Sequence, residues 1–170
     1  MNHCVPLILA AEPRARLTVI GSDPPPRYSL PDFGDAVDLR GYADDIMTPL
    51  AEHAVFVCPI LSGSGIRVKL MESFACGIPV MSTRIGAEGL AETDGDLCRL
   101  ADTPEESAKA VIDLFAEPEK ATAMARRARR EIEANWDMPK RTRSLVEAYR
   151  ATLAAKRAKA ESSAASRGQP

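Results

Sequence analysis

The chain is 170 residues long, enough for one ordinary domain with a sizeable core. Its 22 basic and 24 acidic residues leave a net charge of −2, so no global basic field recruits nucleic acid or an anionic lipid surface. No apolar run approaches the roughly 20 residues of a transmembrane helix, and residues 1–16 lack the basic start and long apolar centre of a secretion signal.

In chain order, residues 3–12 are apolar and helix-like, with Pro6 confined to the first turn. RLTVIG at 16–21 predicts a buried strand closing on Gly21, and 22–35 a proline-rich connection with no packing period. Residues 36–45 predict a second strand ending at Gly41, and 45–53 a helix interrupted by Pro49. The nearly continuous apolar run at 54–60 predicts a third strand. A helix over 66–76 stops at Gly77, a natural C-terminal cap, and a strand follows at 78–83. Residues 86–96 predict a loop with a helical turn, and 97–101 a short last strand. Thr103, Pro104 and Glu106 supply a cap, a first-turn proline and a glutamate three residues past the cap, a strong helix start. Helices over 118–134 and 139–155 follow, their basic clusters interleaved with acids as solvated faces. Apolar periodicity is then lost, so the ordered domain is expected over 1–155 and a disordered tail over 156–170.

Short buried strands alternating with helices predict an α/β fold, a Rossmann-like parallel sheet flanked by helices. Such sheets bind ligands beyond the carboxyl ends of their strands, where Gly21, Gly41 and the glycines at 63 and 65 are expected.

Residues 54–83 carry most of the chemistry: strand, Gly/Ser loop, short helix, strand. Gly63 and Gly65 let the backbone turn sharply and approach a ligand closely. Ser62 and Ser64 are placed either to donate to phosphate oxygens or to cap the helix. A glycine-rich turn at a helix N-terminus offers free N–H groups and a positive dipole end, and Arg67 and Lys69 add two cations, together suiting a diphosphate. Neither a Walker sequence nor a G-x-G-x-x-G fingerprint is present. Glu72 lies among apolar neighbours, costly to bury unpaired. It sits at the distance from the loop that separates a diphosphate from its ribose; the competing reading is a salt bridge to Lys69 or Arg84. His53 reads as a packing or capping residue. The four cysteines, at 4, 58, 76 and 98, show no C-x-x-C and no histidine at ligand spacing, so neither a disulfide framework nor a metal site is expected; reduced thiols fit a cytoplasmic protein.

The segment 63–90, GSGIRVKLMESFACGIPVMSTRIGAEGL, resembles the donor-binding motif of the family 4, or group 1, glycosyltransferases of GT-B fold. The likeness extends over about residues 14–153. It implies the C-terminal, donor-binding half of a two-domain enzyme, truncated at its N-terminus and lacking the acceptor domain and the donor domain's first strand. It further implies retaining transfer from a nucleotide-diphosphate sugar, with no metal or other cofactor required. By similarity, Glu72 holds the ribose hydroxyls, the loop Gly63, Ser64 and Gly65 faces the sugar and diphosphate, with Ser62 beside it as a further substrate-binding candidate, and the base lies against Gly41 and Tyr42. Arg67 and Lys69 match the basic pair of the subgroup whose motif reads G-S-G-x-R-x-K, and would act in catalysis. The family's first motif glutamate is replaced here by Ser64. The implied partners are the nucleotide sugar and a separate acceptor-binding chain or a second copy. Two other readings stay open: a non-catalytic fragment or partner-binding subunit, and another nucleotide-sugar enzyme such as an epimerase.

Overall fold

A computed structural model describes residues 2–22 and 33–167. The proline-rich connection expected at 22–35 lies largely outside the described residues. The chain divides into two compact units, Met1–Arg130 and Glu131–Pro170.

The first unit is an α/β arrangement of short parallel strands and flanking helices. Helix α1 spans Cys4–Ala11, strand β1 Leu17–Ile20 and strand β2 Val37–Arg40. Helix α2 (Met47–Glu52) holds Pro49 within its first turn, where the missing N–H costs nothing, so the proline does not interrupt it. Strand β3 (Phe56–Cys58), helix α3 (Val68–Cys76), strand β4 (Val80–Ser82) and strand β5 (Arg99–Leu100) follow, then α4 (Pro104–Ala116) and α5 (Pro118–Asn135).

The strands are all parallel, but they form two sheets rather than one: β1 pairs with β2, and β3-β4-β5 pair separately. In the larger sheet Phe56 registers with Val80 and Met81 with Arg99. Strand β4, in the middle, is buried along its whole length. Its Met81 joins Ala101, Val111, Leu114 and Met124 in the main core, with Ile8, Val55 and Val57 packed half-buried against it. Helix α4 lies on β4 and β5 and also packs α1, and α2 packs α3.

Local chemistry sets the helix ends. Thr103 accepts from the Glu106 amide while the Glu106 carboxylate accepts from the Thr103 amide, the reciprocal cap expected from the sequence. Gly77, at φ +72°, closes α3, its N–H reaching the Phe74 and Ser73 carbonyls before the chain turns into β4.

In the second unit, α6 runs from Met138 to Arg167. It continues twelve residues past the end expected at 155, into the segment read as a tail. Alanine and lysine favour helix without any apolar stripe, which is why periodicity alone set the boundary early. The Arg141 guanidinium lies 4.4 Å from the centre of the Trp136 ring.

Candidate functional site

The rim at the carboxyl ends of β3 and β4 is knotted around one carbonyl. The Cys58 oxygen accepts from the Ile60 amide (3.0 Å), the Thr83 amide (3.4 Å) and the Ser82 hydroxyl (3.2 Å). Thr83 donates its hydroxyl to the Ile60 carbonyl and accepts from the Gly86 amide at 2.9 Å. Gly86 is packed so tightly here that a Cβ would stand 3.0 Å from the Cys58 carbonyl and against the Ser82 hydroxyl. Ser82, Thr83 and Gly86 therefore hold two loops, 59–67 and 84–90, onto the strand ends. Gly89 completes the junction, its Cα side facing Ile66. Sequence reading left 86–89 open between backbone N–H groups offered to a sugar and a strand-to-helix turn, and passed over Ser82 and Thr83; the only signal was a Ser-Thr pair at the end of a buried strand.

On this scaffold sits the Gly/Ser loop, with Ser62, Gly63, Ser64 and Gly65 all exposed. Gly63 at φ +117° and Gly65 at φ +84° occupy backbone conformations that side-chain-bearing residues rarely adopt. Neither serine caps α3: the N-cap position is Arg67 itself, in extended conformation and without a side-chain cap. The helix thus begins at Val68, two residues later than the expected 66, and its N-terminus carries no built-in anion mimic.

Arg67 is folded back over the loop. Its Nη1 donates to the Ser64 carbonyl at 2.7 Å, while Nε and Nη2 are buried without any hydrogen-bond partner. Buried guanidinium donors with nothing to bond are costly, and an anion beside Gly63 and Gly65 would satisfy them. Lys69 follows, exposed, on the first turn of α3. Burial pushes the Cys58 thiol upward, and the Ser82 hydroxyl, Lys69 and Arg67 pull it back, so both cations act on the same strand end.

Glu72 lies one turn beyond Lys69, half-buried. Among the described residues it forms neither a salt bridge nor a hydrogen bond: Arg84 pairs instead with Asp102 at 3.3 Å, and Lys69 makes no ion pair. The competing salt-bridge reading of Glu72 is therefore not realised. Glu72 does act on Cys76 nearer the helix end, secondary to burial, in raising that thiol.

Gly41 follows β2, its carbonyl accepting from the Gly21 amide at 3.2 Å. Tyr42 is 76 % exposed, and no hydrogen bond among the described residues ties it to the 62–72 segment. The structure thus clusters Gly63, Ser64, Gly65 and Arg67 directly, sets Lys69 beside them and Glu72 one helical turn on, and leaves Gly41 and Tyr42 at the end of the other sheet. His53, read as a packing residue, bonds the Pro49 carbonyl through Nδ1 (2.6 Å) and the Thr18 hydroxyl through Nε2 (2.9 Å). Among the described residues no group of three His, Cys, Asp or Glu side chains is placed to hold a metal, and no helix is long and apolar enough to cross a membrane.

The parallel strands, with a glycine loop and two cations at the carboxyl end of β3, define an α/β domain whose polar rim lies where such sheets take their ligands. Residues 1–117 match the family model described as glycosyl transferases group 1, and the chain belongs to that family. It is 26% identical over 151 residues to the GDP-mannose-dependent monoacylated alpha-(1-6)-phosphatidylinositol monomannoside mannosyltransferase of Corynebacterium glutamicum, covering 78% of this chain and 38% of that protein. HepE of Anabaena, solved with UDP, superposes with a TM-score of 0.74 at 16% identity, over 88% of this chain and 44% of HepE; it has also been solved with UDP-glucose. The isolated C-terminal domain of a group 1 glycosyltransferase, LpcC of Francisella tularensis, superposes at 0.68 and 15% identity, over 80% of this chain and 77% of that domain. The chain thus spans about two fifths of the full-length relatives and corresponds to the C-terminal half of the GT-B fold.

Proposed function

We propose that this chain binds the nucleotide-diphosphate sugar donor for a retaining glycosyl transfer, with the acceptor held by polypeptide beyond these residues. The observation that carries the reading is Arg67, bent over a two-glycine loop with two buried, unbonded nitrogens. A diphosphate placed there would accept from Arg67 and from loop amides, with Lys69 as a second cation. Departure of the nucleoside diphosphate develops charge on its outer phosphate, and preplaced donors of this kind stabilise such charge by about 3–4 kcal/mol each. Arg67 and Lys69 would therefore act on the leaving group. Glu72, unpaired and half-buried one turn further on, would accept from two ribose hydroxyls. Gly41 and Tyr42 would meet the base, and Ser62 and Ser64 would flank the phosphates and sugar. The complexes of HepE with UDP and UDP-glucose, and the GDP-mannose dependence of the Corynebacterium relative, support a nucleotide sugar as ligand and leave both bases as candidates.

Calorimetric titration of the chain with UDP-glucose and with GDP-mannose tests the reading. Binding of one of them is expected, weakened about tenfold or more in Arg67→Ala, since a hydrogen bond to a charged group contributes about 1.5–3 kcal/mol. A folded chain that binds neither would defeat the proposal.

A further inference from the structure

We propose that helix α6 lies along a bilayer surface rich in anionic lipid, its apolar stripe set into the interface and its cations on the headgroups. Every described side chain of this helix, from 138 to 159, is exposed. Within that stretch Met138, Thr142, Leu145, Tyr149 and Leu153 follow at spacings of four, three, four and four, which places them on one face, with Val146 at its border. Single exposed apolar residues are ordinary; Met138, Leu145, Val146, Tyr149 and Leu153 instead align as one exposed stripe over about four turns.

Charge selects the occupant. The stretch 138–159 holds seven basic side chains and one acid, a net of +6, so the chain's overall −2 is this helix set against −8 elsewhere. The interleaving with acids expected from the sequence is therefore absent here. Placement of the charges follows the stripe. Arg143, Arg150 and Arg157 flank one side of it, Arg141 and Lys159 the other, and the single acid, Glu147, falls on the opposite face. Among the described residues Arg143, Arg150, Lys156, Arg157 and Lys159 form neither an ion pair nor a hydrogen bond, so nothing there neutralises them. Long basic side chains bordering an apolar face lay their stems on it and reach lipid phosphates with their tips, and a tyrosine ring suits the boundary between. The helix is not apolar enough to cross a membrane, so it would rest in the plane of the interface. Two other occupants fit less well. A second copy would bring two helices of +6 together, with Lys156 in line with the stripe. Nucleic acid would use the cations but gain nothing from the apolar face. The inference does not depend on donor binding.

Flotation of the full chain with lipid vesicles on a density gradient tests this and separates bound protein from aggregate. Vesicles of phosphatidylcholine mixed with phosphatidylglycerol are expected to bind it about tenfold or more better than phosphatidylcholine alone, and less well as sodium chloride rises from about 0.1 M to 0.5 M. Replacing three flanking cations together (Arg143→Gln, Arg150→Gln, Arg157→Gln) should weaken binding about tenfold or more. Leu145→Gln combined with Leu153→Gln should do the same while leaving the net charge and the lipid-free helix content, read by circular dichroism, unchanged, since glutamine and leucine favour helix about equally. A short DNA duplex serves as the competing probe. The proposal is overturned by a chain that stays off the mixed vesicles, by equal binding to both kinds, or by binding indifferent to the leucine substitutions. Self-association through α6 in place of vesicle binding, or DNA binding that leaves vesicles untouched, would overturn it as well.

Discussion

Glu72 illustrates how much a single carboxylate constrains the reading of a helix. Half-buried among apolar neighbours and unpaired, it would be better replaced for stability by a neutral residue. Glu72→Ala is therefore expected to leave the Tm unchanged or slightly higher while weakening nucleotide-sugar binding about tenfold, and to erase discrimination against 2′-deoxyribose analogues. Titration of both proteins with ribo- and deoxyribonucleotides checks this; an unaltered preference would remove Glu72 from the ribose role. Cys98 makes a different demand. Burial, with Asp94 beside it, pushes its thiol from 9.0 up to about 12. The folded chain thus keeps a proton that the unfolded chain releases above pH 9, so stability is full below that point and falls as pH rises toward 12. Urea unfolding at pH 8, 9 and 10 should show the decline, and Cys98→Ala should lessen it, the raised thiols of Cys58 and Cys76 accounting for part of the remainder.

At the scale of elements, Thr103→Ala removes the reciprocal cap of α4, the helix that covers β4 and β5 and packs α1. A loss of about 1 kcal/mol is expected, seen as a Tm lowered by roughly 2–4 °C in calorimetry. This helix start was legible because its signal is local: cap, proline and glutamate lie within four residues. The strands were legible in place but not in extent. An apolar run at 54–60 suggested seven residues, yet pairing covers only Phe56–Cys58, because β4 offers just three partners. The break between sheets was invisible to hydrophobic pattern, which records burial and not the identity of a neighbour. The glycine loop and its cations were plain from spacing, whereas the Ser82–Thr83 clamp was not, since its partners are carbonyls up to 24 residues away.

For the whole molecule, a net charge of −2 means that capture of a negatively charged ligand depends on a few nearby cations and not on a long-range field. Donor affinity is accordingly expected to fall only several-fold between about 0.05 M and 0.5 M sodium chloride, because contacts shorter than the screening length are weakly attenuated. Stopped-flow binding across that range would show the change mainly in the dissociation rate. Divalent oxyanions stand apart from chloride. The Arg67 side chain already rests on the Ser64 carbonyl, with two nitrogens waiting, so inorganic phosphate or sulfate would compete for the same crevice. Assays in phosphate-buffered saline should thus under-report affinity relative to HEPES, and ammonium sulfate as a precipitant would occupy the crevice before any sugar nucleotide arrives.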